Sequence, residues 1–314
     1  MDLKNKRVIV TGAAGVIGRE LTERLESQGA QIRCFDLRPK PKNFAAEVEY
    51  FQGDLSSLNK LEFMAFKPDL IFHLAAVFER TEEELDFWDL NWQNEILVNH
   101  QVIDAARECQ GLVKFIFASS YLIYDPALYL VKDPSKPVIS LGETDRINPR
   151  NLCGAAKLYG ERELIYLNQF KRNYFFSSVF ARIFRVYGRG SDDVVEKLVK
   201  SAMKRETFEV FLEQNRFDYI FAGDVAEGLI RLAKSQPATG VINLGSGASS
   251  SVSQVIAEVK KHYPGFRIRK TNRKELLEAS GADINKLKKL TGWQPAVSLA
   301  QGIKILIDYN KKQS

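Results

Sequence analysis

The feature that most constrains this chain lies near its start. An apolar run, Arg7-Val8-Ile9-Val10, leads into Thr11-Gly12-Ala13-Ala14-Gly15-Val16-Ile17-Gly18, and a helical pattern follows. Three glycines at a strand-to-helix turn have separate uses. One permits a sharp turn, one lets backbone N–H groups approach a pyrophosphate, and one lets the helix pack closely on the sheet. The positive end of the helix dipole then faces the phosphates. The alternative is a plain glycine-rich turn, which the place between a first strand and a first helix disfavours. The stretch therefore predicts a dinucleotide site at Gly12, Gly15, Val16, Ile17 and Gly18.

The following segments keep that rhythm. Strands are expected at Arg7–Val10, Gln31–Phe35, Glu49–Gln52, Leu70–His73, Lys114–Ala118 and Ser177–Ile183. Between them Val16–Gln28, Leu58–Ala65, Phe87–Cys109 and Cys153–Phe170 suit helices. Alternation of this kind implies βαβ units with right-handed crossovers, and ligands at the carboxyl ends of the strands. The expected fold is α/β: a Rossmann-type doubly wound parallel sheet with a smaller mixed α/β substrate-binding lobe. Residues 1–180 would form the NAD-binding domain. Residues 181–314, where the pattern turns irregular, would form mainly the second lobe, with some segments returning to the first.

Composition narrows the class. With 45 basic and 39 acidic residues spread along 314, the net charge is +6. No basic arm suggests a nucleic-acid partner. No apolar run approaches the roughly 18 residues needed to span a bilayer. The chain enters a strand pattern directly, without a signal-peptide layout. Cys34, Cys109 and Cys153 form no CxxC pair and no metal-ligand spacing, so no metal is expected and the reducing cytoplasm is the expected compartment.

Asp36 ends the second predicted strand. An acid there accepts hydrogen bonds from the adenosine ribose and repels a 2′-phosphate, which favours NAD over NADP. Leu37 and Arg38 follow, and Arg38 would soften that preference. Asp54, beside Leu55 after the third strand, is a candidate for the adenine amino group. A turn or helix-cap role is its alternative.

Further along, ordered motifs point to a family. They are His73-Leu74-Ala75-Ala76, Ser119-Ser120-Tyr121-Leu122-Ile123-Tyr124, and Pro149 with Cys153, Lys157 and Glu161. Beyond these come Arg182-Ile183-Phe184-Arg185-Val186-Tyr187-Gly188, Asn243-Leu244-Gly245-Ser246-Gly247, and Ala282-Asp283 with Lys286 and Leu290-Thr291-Gly292-Trp293-Gln294-Pro295. Over nearly its whole length the chain resembles the NAD-dependent epimerase/dehydratase family of extended short-chain dehydrogenases. The resemblance implies an enzyme that transiently oxidises a hydroxyl, most simply at C4, of a nucleotide-diphosphate sugar with tightly held NAD. Alternatives are a dehydrogenase or reductase that releases NADH, and a non-catalytic NAD-binding or RNA-binding relative. It also implies cofactor contacts from Leu74, Ala75, Ala76, Ser119, Lys157 and Phe184, with Ser120 bonding the reacting hydroxyl. A homodimer through the helices Phe87–Cys109 and Cys153–Phe170 is expected. Trp88, Ile96, Val98, Val102, Leu158, Leu164 and Leu167 are its apolar candidates.

The departures are as informative. Cys153 stands where the family has its catalytic tyrosine. A thiol has a lower reference pKa than a phenol, but its sulfur stops several ångströms short of a phenol oxygen. Three roles stay open: Cys153 as acid/base, proton transfer by Ser120 or Tyr121 instead, or no catalysis. Tyr121 and Leu122 replace the Asp-Glu of the 4,6-dehydratases, so that reaction is disfavoured. Glu95 aligns with the usual asparagine. Arg185 replaces an asparagine that contacts the sugar or diphosphate. Phe217 falls where a diphosphate-binding arginine is expected, with Arg216 one residue early. Val77, Ser120, Arg185, Arg216 and Arg273 are the candidate substrate contacts.

Overall fold

The computed structural model describes residues 1–76, 85–133, 135–170, 176–271 and 276–313. Val8 and Val10 belong to one buried cluster and Ile9 to another, and the strand that carries them is apolar on both faces. A strand buried on both faces fits a parallel sheet covered by helices on each side. The observed strands β1 (Arg7–Thr11), β2 (Gln31–Asp36), β3 (Glu49–Gln52), β4 (Leu70–His73) and β5 (Lys114–Ser120) join Ser177–Ile183 and Gly240–Leu244 in one sheet. All seven run parallel. Their spatial order is Gly240–Leu244, Ser177–Ile183, β5, β4, β1, β2, β3. The order reverses between β1 and β4, which makes the carboxyl ends of those two strands the switch point where such sheets bind ligands.

On one face lies α1 (Val16–Ser27), packed against the helix Ala222–Lys234. On the other lie α2 (Lys60–Ala65), α4 (Leu97–Arg107) and α5 (Leu152–Gln169), with α3 (Leu85–Asn91) packed beside α5. Phe115 and Phe117 point to this second face, while Ile116 and Ala118 point to the first. A separate cluster joins the helices Val194–Met203, Val252–His262 and Leu299–Lys311 to the strand Arg216–Phe221, and forms the smaller body.

Two differences from the sequence expectation bear on the main sheet and the helices around the site. The single helix expected over Phe87–Cys109 is divided by a π-helical turn, Trp92–Ile96, between α3 and α4. The strand Gly240–Leu244, which had no predicted counterpart, closes the edge of the main sheet beside Ser177–Ile183. Its run of Val, Ile and Leu is short, and only the neighbouring strand makes it a strand.

Candidate active site

The glycine turn is tight at the level of backbone atoms. Gly12 has a φ of +70°, a region L side chains rarely adopt, and a Cβ there would lie 2.6 Å from the Ala75 nitrogen. A Cβ on Gly18 would lie 2.2 Å from the Gly12 carbonyl oxygen. Gly15 is the N-cap of α1, and no side chain caps that helix, whose first residues are Val16 and Ile17. Its N-terminal amide groups are thus left for an anion.

Asp36 is buried at the end of β2 and is already engaged. Its carboxylate accepts from the Ala14 amide at 2.9 Å and from the Arg38 amide at 2.9 Å. The Arg38 side chain also donates to it, at 3.1 Å through Nε. Leu37 is exposed beside it. Asp54 is exposed and caps the short 3-10 turn Leu55–Ser57, accepting from the Ser56 amide at 2.8 Å, while Leu55 is buried. Asp54 therefore holds the capping role weighed against its adenine contact.

A buried relay fixes the segment after β4. The Thr11 hydroxyl oxygen accepts from the Leu74 and Ala75 amides, at 3.2 and 3.3 Å, so its own proton is free to go to His73 Nδ1, 2.6 Å away. His73 Nε2 then donates to Asn99 Oδ1 at 2.9 Å. Burial, reinforced by the nearby Lys157 charge, pushes the His73 pKa down to about 3, so the ring is neutral. The relay sets Ala75 beneath Gly12. Ala76 follows it, exposed. Val77 lies outside the described residues.

The reaction corner gathers around α5. Asn151 caps this helix by accepting from the Gly154 amide at 2.9 Å. Gly154 has no room for a Cβ, which would lie 2.6 Å from the Leu122 carbonyl oxygen. The Arg150 amide donates to that same oxygen at 2.9 Å. These contacts press the start of α5, with buried Cys153, onto the turn that Ser120 opens. The Ser120 oxygen accepts from the Leu122 amide at 3.2 Å, which leaves its proton available to a ligand. Ser119 is committed elsewhere: its hydroxyl donates to Glu161 at 2.6 Å, and Glu161 is held from the other side by buried Arg182. Tyr121 is committed too. Its ring stacks on Phe184 at 5.1 Å, and its hydroxyl donates to buried Glu278 at 3.0 Å. Glu278 also takes Ser280 and Arg150.

Lys157 lies one turn after Cys153 on the same face of α5. Its ammonium sits 5.1 Å from the centre of the Phe117 ring and 2.6 Å from Glu95 Oε1. The two side chains are 9% and 1% exposed. This pair was not foreseen. A signal for it was present, because Asn91, Glu95 and Asn99 recur at helical spacing and all three are buried polar residues.

The expected substrate arginines part company. Arg185 is half-buried, with its guanidinium 4.8 Å from the centre of the Phe217 ring. Arg216 donates to the Lys136 carbonyl. Arg273 lies outside the described residues.

A doubly wound parallel sheet with a glycine cradle at its switch point defines a Rossmann-type dinucleotide-binding protein. The chain belongs to the NAD dependent epimerase/dehydratase family, whose model matches residues 8–245. Its cofactor is NAD. The residues present fit it: the cradle that a Cβ would fill, the uncapped start of α1, and the carboxylate at the end of β2. Among relatives, the putative UDP-glucose 4-epimerase of Methanocaldococcus jannaschii is 26% identical over 323 residues, covering 98% of this chain and 99% of that protein. The UDP-glucose 4-epimerase of Mycolicibacterium smegmatis is 25% identical over 327 residues, covering 98% and 99%. The structure of the Thermus thermophilus UDP-glucose 4-epimerase in complex with NAD superposes with a TM-score of 0.84 at 25% identity, covering 98% of this chain and 100% of that one.

Among the described residues, no helix is long and apolar enough to cross a membrane. Val98, Val102 and Leu164, expected at a dimer interface, are buried in the core instead. On these helices and the π turn the exposed aromatic groups are Trp88, Trp92, Tyr159 and Tyr166, with Phe170 just past the end of α5.

Proposed function

We propose that this protein is an epimerase of a nucleotide-diphosphate sugar, acting by transient oxidation of the sugar at C4. The reading is supported by the packing of the start of α5, which carries Cys153 and Lys157 one turn apart, on the turn that Ser120 opens, in a chain of this family. NAD, when bound, would supply the hydride acceptor and donor for the sugar carbon. Ser120 donates to the reacting oxygen and orients it. Cys153, as thiolate, takes the proton of that hydroxyl as the C–H bond breaks, and gives it back when the carbonyl is reduced on its other face. Lys157 holds the cofactor ribose. Leu37, Arg38, Leu55 and Phe184 border the cofactor.

Residues 1–180 act as the cofactor domain and 181–314 mainly as the sugar-nucleotide lobe. Arg185, Arg216 and Arg273 are assigned to the substrate there, and Val77 is assigned to it from the cofactor domain. Arg185, carried on Phe217, supplies a guanidinium near the position that the family gives to a diphosphate-binding arginine. The protein acts in the cytoplasm as a homodimer through α3, α4, α5 and the exposed aromatic groups on α3, α5 and the π turn. A monomer in light scattering at micromolar concentration would remove the dimer.

The test is incubation with a panel of UDP-, GDP- and dTDP-sugars, followed by mass spectrometry and proton NMR. A product of unchanged mass with inverted C4 supports the reading. Mass loss of two units with NADH release makes the enzyme a dehydrogenase. Unchanged sugars throughout favour the non-catalytic reading, to which Cys153 is the pointer.

A further inference from the structure

We propose that Glu95 sets the charge presented to the nicotinamide end of the cofactor: by holding Lys157 as a neutral ion pair it lets the site accept cationic NAD+ about as readily as NADH. The inference rests on the cofactor alone, not on the sugar chemistry. It would hold in a chain that turned over no sugar at all.

The reasoning begins with burial. Two opposite charges 2.6 Å apart, with side chains 9% and 1% exposed, sit where water screens little. They act at a distance as a weak dipole rather than as two ions. Their place is fixed. Lys157 stands over the Phe117 ring of β5, the strand that neighbours β4. The carboxyl end of β4 is at the switch point, and that of β5 lies beside it. The carboxylate comes from the π turn Trp92–Ile96, a type of helix irregularity that recurs at functional sites. In the family pattern an uncharged asparagine takes this place, and lysine then carries an uncompensated positive charge. Here the two departures, Glu95 for asparagine and Cys153 for tyrosine, both adjoin Lys157. A lone ammonium would disfavour the oxidised nicotinamide, which is itself a cation, and favour neutral NADH. The pair cancels that bias.

The quantity that isolates this effect is the ratio Kd(NAD+)/Kd(NADH). It is read by displacing fluorescent NADH with NAD+ on the intact protein. Lost packing or lost ribose contacts weaken both forms alike and leave the ratio unchanged. Glu95→Gln should raise the ratio roughly a hundredfold, the order expected of a unit charge about 6 Å away at an effective dielectric of about 20. Glu95→Asp, which keeps the charge, should leave it within about twofold to threefold of the parent. Lys157→Met leaves the carboxylate alone and should lower the ratio. The double variant, Glu95→Gln with Lys157→Met, removes both charges and should return it near the parent value. Should Glu95→Gln fail to fold, Lys157→Met and the double variant still decide the matter. An equal ratio in every folded variant, or shifts of the same sign in Glu95→Gln and Lys157→Met, overturns the proposal and leaves Glu95 a merely structural partner.

Discussion

The adenosine-pyrophosphate side of the cofactor site and its reaction corner sit a few residues apart on the same sheet, yet they were built to different standards of likeness. On the first side Gly12, Gly15, Gly18 and Asp36 are all of the type the family uses, and each is pinned by backbone contacts. In the reaction corner Cys153 and Glu95 stand where the sequence reading expected a tyrosine and an asparagine. The difference teaches where the constraint lies. A glycine whose Cβ would strike a carbonyl has no substitute, whereas a side chain projecting into a cleft can change if its neighbours compensate. Glu95 beside Lys157 and Glu278 beside Tyr121 and Arg150 have the form of such compensation.

The sharpest way to break this contrast is at Cys153. If it carries the proton, Cys153→Ala should lower turnover by about 10²–10⁴-fold, the usual worth of a general acid or base, with NAD still bound. Near-full activity would move proton transfer to Ser120, because the hydroxyls of Ser119 and Tyr121 are already spent on Glu161 and Glu278. Cys153→Tyr reads the same corner from the other side. A rise in turnover means the pocket still admits the family's phenol. A fall means the substrate has moved in to meet the thiol.

On the opposite side the break is steric. Gly18→Ala sets a methyl group 2.2 Å from the Gly12 carbonyl and 2.7 Å from the Ala13 backbone, none of which is a flexible side chain. The turn must open. NAD affinity measured by calorimetry should fall roughly 100-fold, about 2.7 kcal/mol. An unchanged affinity would mean that the cradle is not the pyrophosphate site.

Much of this was legible in the sequence, for reasons that differ by region. The glycine turn and the apolar strands β1, β4 and β5 read directly, because local sterics and two-sided burial dictate their residues. Lys157 and Ser120 were legible through the family motifs. The Glu95–Lys157 pair was not, because the two residues lie far apart in the chain and only the packing of the π turn on α5 brings them together. The strand Gly240–Leu244 was missed for the same kind of reason: its identity depends on its neighbour in the sheet. Val98, Val102 and Leu164 were given to a dimer interface because helical periodicity marks an apolar face without saying whether the sheet or a second subunit covers it.

Between the two regions stands His73, and pH probes it. Its pKa is depressed in the fold to about 3, against an ordinary value of 6.5. Below 6.5 the unfolded chain binds a proton that the native ring refuses, so stability is fully present above that pH and is lost as pH falls toward 3. At pH 5 the loss from this one group is about 2 kcal/mol. Urea titrations at pH 7.5 and pH 5 should show it, and His73→Gln should remove most of that difference while lowering stability at both. A His73→Gln protein with an undiminished pH dependence would place the acid sensitivity elsewhere.

The smallest expected effect sharpens the comparison on the cofactor side. Asp36 is read as the acceptor for the adenosine ribose, but its oxygens already take the Ala14 amide and both main-chain and side-chain donors of Arg38. Asp36→Ala therefore does two things. It removes an acceptor from the ribose, which should weaken NAD about tenfold, near 1.4 kcal/mol. It also frees the Arg38 guanidinium, which is well placed beside Gly15 to meet a 2′-phosphate. NADP should consequently bind more tightly to Asp36→Ala than to the parent, and adding Arg38→Ala should cancel that gain. Arg38→Ala alone should change stability by less than about 0.5 kcal/mol, because a pair with one side chain 60% exposed contributes little. Parallel calorimetric titrations with the two nucleotides decide the matter. If Asp36→Ala weakens NAD and NADP equally, the carboxylate only braces the glycine turn through the Ala14 amide, and the preference for NAD must be set by other groups.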